Sequence, residues 1–292
     1  MLNEYGLHGS FTGEDITSPA KLHTGRMALI DADYAKYIVT SKIYKDVQKI
    51  ERGELDIFLK EDPVVKYTKQ WLADFLTRIE DPMIFCFSAP SVNTFRCHIS
   101  FDKKYKGNRK KDSYDYEGKS QDMHNVMRYI VDNYLSLITD DLEADDIVAM
   151  LQDMDNTYII SKDKDLKQVP GWHYNFNTNE IELISHDTAL FNLSKQLLMG
   201  DTTDHISGLP GVGEVNAQKI LREVENPRNY VRRVLHEYQK RFGVFKGTDM
   251  FTETWMLVKM RENRGNDFLV KNQKSFDTKT MVLNQLKKEQ MK

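Results

Sequence analysis

The stretch TYIISKDKD, residues 157–165, decides the fold, because it joins an apolar run of buried-strand length to a pair of aspartates. Two similar runs precede it: MALID at 27–31, which also ends in an aspartate, and MIFCF at 83–87. Continuous apolar runs of this length are typical of parallel strands that are buried on both faces of a sheet. The segments between the runs have helical patterns, and this alternation predicts an α/β fold with a parallel central sheet.

Helical patterns separate these runs and continue after them. The sequence VVKYTKQWLADFLTRI at residues 64–79 places its apolar side chains on one stripe of a helix and stops before an Asp-Pro pair. Residues 122–138 and 144–154 have patterns of the same kind. WHYNFN and NEIELI indicate a hairpin or two edge strands, and the pattern is helical from about residue 187 to the end.

The length of 292 residues, with 40% hydrophobic content, suits one α/β domain with a helical subdomain. We predict an N-terminal extension at 1–26, an α/β domain at 27–190 and a helical region at 191–292. No apolar run approaches about 18 residues, and no signal-peptide pattern opens the sequence, so we expect an unexported protein without membrane contact. With only Cys86 and Cys97, the first expected to be a reduced, buried thiol, neither a disulfide framework nor a zinc site is supported.

Eight carboxylates occur in four short motifs, LID, LEADD, SKDKD and MGDTTD. Open α/β sheets bind ligands beyond the carboxyl ends of their strands, which is where the first and third motifs lie. One such motif alone is more often a polar turn or a helix cap. Like charges about 4 Å apart repel by roughly 4 kcal/mol at an effective dielectric of 20, so eight converging acids require cations. A ligand set rich in oxygen predicts Mg²⁺ or Mn²⁺, with some acids acting through water. The eight acids are Asp31, Glu143, Asp145, Asp146, Asp163, Asp165, Asp201 and Asp204.

The charge balance is informative once these acids are set aside. The net charge is -3, but without the eight motif acids, 41 basic residues face 36 acidic ones. A basic surround that faces an acidic, metal-filled pocket suits a phosphodiester substrate. A solvated surface of mixed charge would give the same composition.

A glycine-rich turn, GLPGVG at residues 208–213, leads into a helical pattern that continues to about residue 221. Gly208, Gly211 and Gly213 let backbone N–H groups approach a phosphate. A nest of this kind at a helix N-terminus binds the DNA backbone without reading its sequence. A lone turn of this type is weak evidence for function, but it directly follows MGDTTDHIS.

Five motifs occur in the order LIDAD, YKGNR, LEADD, SKDKD and MGDTTDHISGLPGVG, from about residue 27 to residue 221. In this order they resemble the 5′ nuclease family, which includes flap endonucleases, 5′-to-3′ exonucleases and the 5′ nuclease domains of bacterial DNA polymerases. The phage-encoded exonucleases look most similar. The resemblance implies a PIN-like α/β domain followed by a DNA-binding region of the helix-hairpin-helix type.

The resemblance also implies a site for two metal ions. Asp31, Glu143 and Asp145 match the carboxylates of the first metal, with Asp146 alongside. The carboxylates of the second metal are matched by a second group of acids: Asp163, Asp165, Asp201 and Asp204. The glycine turn matches the element that holds duplex DNA, which in relatives often carries a potassium ion.

The basic run FDKKYKGNRKK at residues 101–111 is, taken alone, equally consistent with a solvated surface. The resemblance implies that Lys106 and Arg109 contact the scissile phosphate and that Tyr105 stacks on a base. We place Lys110 and Lys111 on a face that tracks phosphates. The run opens a short helical arch at about residues 105–125, and whether a free 5′ end threads through so short an arch is open.

One position departs from the family pattern. An aspartate usually ends the second strand, and FCFSAPS places Ser88 or Ala89 there. This change removes part of the shell expected around the first metal. Natural variation, an engineered alanine that blocks turnover, and an alignment shifted by a few residues each account for it.

The sequence therefore predicts a metal-dependent 5′ nuclease that hydrolyses DNA phosphodiesters in replication or repair, as a 5′-to-3′ exonuclease, a flap endonuclease or both. The expected partners are DNA with a 5′ end or flap, or an RNA–DNA hybrid. We expect a monomer in the cytoplasm, that of a bacterial host if the chain is phage-encoded. Two alternatives stay open: a PIN-type ribonuclease, which normally lacks the glycine turn, and a structure-specific DNA-binding protein with an impaired metal site.

Overall fold

The computed structural model describes residues 21–54, 61–100, 102–108, 115–176 and 178–261. Most of the predicted N-terminal extension and the last part of the predicted helical region lie outside these residues. Within them, no helix is both long enough and apolar enough to span a bilayer.

A six-stranded sheet forms the centre of the fold, in the strand order β3-β2-β1-β4-β5-β6. The first five strands pair in parallel, and β6 pairs with β5 in antiparallel orientation at one edge. The three predicted strands and the predicted hairpin are confirmed. The strands are β1 Met27–Asp31, β2 Met83–Phe87, β3 Ser136–Ile138, β4 Thr157–Ile160, β5 Gly171–Asn175 and β6 Glu180–Ile184.

Helices pack on both faces of the sheet and continue after it. The first long predicted helix is confirmed, and it begins where Asp62 accepts a hydrogen bond of 2.8 Å from the Val64 N–H and Pro63 holds the first helical position. In the described part of the chain the helices are α1 Asp33–Glu51, α2 Pro63–Leu76, α3 Arg96–Ile99, α4 Lys119–Asn133, α5 Ala144–Leu151, α6 His186–Met199, α7 Glu214–Arg222, α8 Tyr230–Phe242 and α9 Val244–Val258. Two further short strands, β7 Gly200–Asp201 and β8 Ile206–Ser207, pair between α6 and α7.

The sheet is buried on both faces because successive side chains of a strand point to opposite sides. In β1, Ala28 and Ile30 belong to the core under α1, α2 and α4, whereas Met27 and Leu29 belong to the core under α5. Cys86 is fully buried and, like Cys97, is a free thiol, as predicted. The apolar runs without polar alternation follow from this double burial.

Two predicted boundaries differ from the structure. The helix expected at residues 122–138 ends at Asn133, because Ser136–Ile138 pairs as a strand with β2. The domain boundary expected between residues 190 and 191 falls inside the continuous helix α6. The division into three parts stays a prediction. The residues after β6 are helical in large part, and helices α6 to α9 enclose their own core.

Candidate active site

The carboxyl ends of β1, β2 and β4 meet at one edge of the sheet. Asp31 ends β1, and its carboxylate accepts a hydrogen bond of 3.1 Å from the hydroxyl of Ser161, which directly follows β4. Asp33 donates its backbone N–H to the same carboxylate over 3.3 Å. The parallel order of the strands thus brings the first and third acidic motifs together.

Burial and neighbouring charge perturb these acids strongly. Burial, followed by the negative charge of Asp33, raises the pKa of Asp31 to about 6, and Asp163 contributes in the same direction. The pKa of Asp145 lies well above its ordinary value for the same first reason, with Asp31 and Asp163 as the next causes. The two expected metal groups therefore act on each other as one electrostatic cluster.

Asp145 is the acid whose surroundings most favour a bound cation. Its Oδ1 atom is buried and has no hydrogen-bond partner among the residues that the structure describes. Such an atom loses its hydration without compensation, which is costly for a carboxylate surrounded by other acids. A hard cation would satisfy it, and the oxygen donors around it fit Mg²⁺ or Mn²⁺ chemistry.

The second group gathers along one wall of a cleft of about 620 Å³. Burial, then the charges of Asp163 and Asp201, raises the pKa of Asp165 to about 7. Burial also raises the pKa of Asp163, with Asp204 and Asp201 adding to the effect. Asp201 accepts backbone hydrogen bonds from Thr203 and Asp204 at 2.7 and 3.3 Å, which fixes the MGDTTD turn.

Asp31 lies apart from this cleft. It lines a neighbouring hollow of about 390 Å³ together with Tyr34, Tyr37 and Trp71, and Asp163 lines both cavities. The structure therefore places Asp163 between Asp31 and the rest of the second group.

Asp146 is not among the described residues that line the cleft, and its assignment as a metal ligand stays a prediction. It is fully buried, and the guanidinium of Arg96 binds both of its oxygens, one of them at 2.9 Å. The backbone N–H of Arg261 donates to Asp146 Oδ1 as well, at 3.0 Å. Three N–H donors thus occupy most of the acceptor positions of this carboxylate. The sequence analysis missed Arg96, because nothing in TFRCHI distinguishes it from a surface arginine.

Lys106 and Tyr105 both turn toward the acids. The Lys106 ammonium pairs with Glu143 Oε1 and lies 3.7 Å from Asp204. The Tyr105 ring is 4% exposed, and its hydroxyl is 2.8 Å from Glu143 Oε2 and 2.9 Å from Asp204 Oδ2. A buried ring cannot stack on a base, so the stacking role expected for Tyr105 is not available in this conformation. Burial, then the charges of Glu143 and Asp204, raises the pKa of Tyr105 well above its usual range.

Ser88 directly follows β2, at the position where the resemblance of the sequence motifs predicts an aspartate. Its hydroxyl accepts a hydrogen bond of 2.9 Å from the Ala144 N–H at the start of α5, and its own N–H donates to Asp33 at 3.2 Å. The neighbouring Ala89 is 4% exposed and its N–H donates to Leu142. Ser88 rather than Ala89 therefore faces the helix that carries Asp145.

The glycines of the turn have different surroundings. A Cβ atom on Gly208 would lie 2.1 Å from the backbone carbon of Met199, so close packing requires a glycine here. At Gly211 and Gly213 a Cβ atom would meet nothing within 4 Å. The DNA-contact role of all three glycines stays a prediction, and the open space beside Gly211 and Gly213 is compatible with it.

Three further predicted residues, Arg109, Lys110 and Lys111, lie outside the described residues. Lysines that the sequence analysis did not select line the cleft instead: Lys164, Lys167 and Lys195. They lie on segments far apart in the sequence, which is why no local basic run announced them.

Within the described ranges, no three acidic, histidine or cysteine side chains are close enough to hold one ion. Two of the expected ligands, Glu143 and Asp146, are paired with Lys106 and Arg96 instead. The chemistry of the remaining donors and the orphaned oxygen of Asp145 still fit a divalent cation. A cation at Glu143 Oε1 would have to displace Lys106.

A family model for the 5′-3′ exonuclease N-terminal resolvase-like domain matches residues 63–194. DNA polymerase I of Bacillus subtilis (strain 168) is 30% identical over 168 residues, which cover 49% of this chain and 18% of that protein. DNA polymerase I of Streptococcus pneumoniae serotype 4 is 27% identical over 233 residues, which cover 72% of this chain and 24% of that protein. The chain thus spans about a fifth of the length of these curated relatives.

Solved structures share the fold. The T5 D15 protein co-crystallised with metal ions superposes with a TM-score of 0.55 at 17% identity, covering 80% of this chain and 89% of that chain. A pseudo-enzyme–product complex of the phage T5 D15 flap endonuclease with DNA and metal ions gives a TM-score of 0.53 at 16% identity, with the same coverage. Residues 63–194 are therefore similar to the 5′-3′ exonuclease N-terminal resolvase-like domain, in agreement with the resemblance that the order of the sequence motifs indicates.

Proposed function

We propose that this protein is a metal-dependent 5′ nuclease that hydrolyses phosphodiester bonds in DNA, as a 5′-to-3′ exonuclease, a flap endonuclease or both, in replication or repair. One observation carries the proposal: the buried, unsatisfied carboxylate oxygen of Asp145 lies within a cluster of acids at the carboxyl end of a parallel sheet. Repulsion among the carboxylates would destabilise such a cluster unless cations were bound. The family match and the shared fold support the same activity.

Two groups of side chains would hold the metal ions. Asp31, Asp145 and Glu143 Oε1 would hold the first, and Asp163, Asp165, Asp201 and Asp204 would hold the second. When bound, two divalent ions activate a water and stabilise the charge that develops on the phosphate. Mg²⁺ or Mn²⁺ suits these oxygen donors, and a K⁺ ion at the glycine turn is part of the proposal.

The chain's own residues contribute binding and electrostatics. Lys106 pairs with Glu143 at the cleft and, once released from it, can donate to a non-bridging phosphate oxygen. Lys164, Lys167 and Lys195 line the cleft and attract the backbone of an incoming strand. The exposed turn at Gly211 and Gly213 would hold duplex DNA beside a groove of about 720 Å³. No side-chain nucleophile is required.

The finer points are also proposals. They include DNA with a 5′ end or flap or an RNA–DNA hybrid as substrate, a monomeric state, a cytoplasmic location and a helix-hairpin-helix type of DNA-binding region. The alternative of a DNA-binding protein without chemistry draws on Ser88, which replaces the usual aspartate, and on the pairing of Glu143 with Lys106.

A digest of 5′-labelled DNA tests the proposal. The full chain would be incubated with a labelled flap, a blunt duplex and an RNA–DNA hybrid, in Mg²⁺, Mn²⁺ or EDTA, with the product lengths resolved. We expect cleavage in either metal and none in EDTA. Undiminished cleavage in EDTA would refute the two-metal scheme. Tight, structure-dependent binding without cleavage in saturating Mn²⁺ would favour the DNA-binding alternative.

A further inference from the structure

Arg96 connects the acidic site to the end of the helical region. Its side chain is almost fully buried, and its guanidinium donates to two carboxylates and two backbone carbonyls. Nη1 donates to Glu143 Oε2 at 2.8 Å and to Asp146, and Nη2 donates to Asp146 at 2.9 Å. Nε donates to the carbonyl of Leu257 at 2.7 Å, and Nη2 to that of Lys259 at 3.3 Å.

These contacts give the two carboxylate oxygens of Glu143 different partners. Oε2 receives the Arg96 guanidinium and lies 2.8 Å from the Tyr105 hydroxyl. Oε1 faces the Lys106 ammonium, on the side of the cleft. One oxygen is thus held by the protein interior, whereas the other is held by a side chain that is 23% exposed and long enough to move. The carboxylate is oriented before any ion arrives.

Asp146 makes this orientation possible. A single carboxylate beside a buried guanidinium would be drawn fully onto it, in a two-pronged pair. Asp146 already occupies that position, so Glu143 shares only Nη1 and keeps Oε1 outside the pair. Burial alone would lower the pKa of Arg96, but the charges of Asp146 and Glu143 more than offset it, so the arginine stays charged.

Gln168 offers a matched comparison. It fixes the same end of α9, because its Nε2 donates to the carbonyl of Val258 at 3.0 Å and its Oε1 accepts from the Met260 N–H at 2.9 Å. It contacts neither Glu143 nor Asp146, although its Nε2 also donates to Gln196 at 3.0 Å, and the Gln196 amide donates to Asp165. Loss of Gln168 therefore loosens the helix end and leaves Glu143 and Asp146 held, while its effect on the second group of acids is indirect.

We propose that Arg96 is a positioning residue of the acidic site, which fixes Oε2 of Glu143 so that Oε1 is presented to a divalent cation. The inference rests on the proposed function, since it assigns Arg96 a task within that metal site. A lysine cannot replace it, because one ammonium cannot hold two carboxylates and two carbonyls in a planar fork. The same contacts make the metal site sensitive to the seating of α9.

The test compares Arg96→Lys with Gln168→Leu in the full chain. For each variant the melting temperature is measured against Mg²⁺ concentration, and single-turnover cleavage of a labelled flap is measured over the same range. We expect Arg96→Lys to raise the Mg²⁺ midpoint of both curves by about 10-fold or more, the usual effect of losing a group that orients a metal ligand. Gln168→Leu should lower the melting temperature in EDTA and shift the midpoint much less than Arg96→Lys does, because it leaves Glu143 held.

A second variant covers the case in which Arg96→Lys fails to fold. Replacing the pair together, by Arg96→Met with Asp146→Leu, leaves no unpaired buried charge, and exchanges of this kind are often tolerated. It should shift the Mg²⁺ midpoint in the same direction. A wild-type midpoint in the folded variants would overturn the inference, as would an equal shift in Gln168→Leu. Failure of the proposed function is distinguishable, because it appears as absent cleavage in the unaltered chain.

Discussion

Burial and neighbouring charge destabilise the ionised form of Asp31, so we predict that Asp31→Asn stabilises the protein in EDTA. Burial and the neighbouring acids raise the pKa of Asp31 from 3.8 to about 6. The folded chain therefore holds this proton more tightly than the unfolded chain does. As pH rises from about 4 to 7, the folded state loses stability. The rise in the pKa of Asp31 from 3.8 to about 6 corresponds to a loss of about 3 kcal/mol in the free energy of unfolding at neutral pH.

Asparagine does not titrate and is not charged, so the variant escapes this loss. It can still accept the hydrogen bond from Ser161 through one oxygen, while the weaker contact from the Asp33 N–H at 3.3 Å is put at risk. A lost hydrogen bond costs about 1 kcal/mol, which leaves a net gain of about 2 kcal/mol. For a chain of 292 residues, whose entropy of unfolding is about 0.6 kcal/mol/K, that gain corresponds to an increase of about 3 °C in melting temperature.

Melting curves of the full chain at pH 4.5 and 7.5, in EDTA and in Mg²⁺, measure the effect. Asp31→Asn should melt higher than the wild type at pH 7.5 in EDTA, and the advantage should disappear at pH 4.5. Mg²⁺ should stabilise the wild type more than the variant. Asp140→Asn, at an exposed position, is the control and should change little. A variant that melts below the wild type at pH 7.5 in EDTA would refute the electrostatic account of the cluster.

Three further predictions concern the same site and the turn. Lys106→Met should lower the melting temperature in EDTA, because Glu143 loses its ion pair, and should lower the Mg²⁺ midpoint, because the ammonium no longer competes for Glu143. It should also slow single-turnover cleavage about 100-fold or more, and unchanged cleavage would remove Lys106 from the chemistry. Ser88→Asp should lower the Mg²⁺ concentration for half-maximal cleavage, because it adds a carboxylate and keeps an acceptor for the Ala144 N–H at the start of α5. Ala89→Asp should instead lower the melting temperature, because it buries a charge. No change in the Ser88→Asp titration would show that this position does not reach the metal. Gly208→Ala should lower the melting temperature, whereas Gly213→Ala should leave it unchanged. Gly213→Ala should weaken duplex binding in a salt titration, and equal binding by this variant and the wild type would place the duplex elsewhere.

The sequence by itself determined the sheet and the location of the site. Strands buried on both faces need unbroken apolar runs, and parallel strands align their carboxyl ends, so MALID, MIFCF and TYIIS predicted both the sheet and the edge at which Asp31 and Asp163 meet. These are local properties of short segments, and local patterns record them. The order of the acidic motifs added the resemblance to the 5′ nuclease family.

Only the tertiary structure decided which acids are open to a cation. Arg96 lies 50 residues from Asp146 and 161 residues from Leu257 in the sequence, so no pattern of spacing links them. Tyr105 looked like an exposed aromatic in a basic run, yet packing against the core of the helical region buries its ring. A carboxylate looks the same in a sequence whether its partner is a metal or an arginine, because the choice depends on which distant side chain the fold brings within 3 Å.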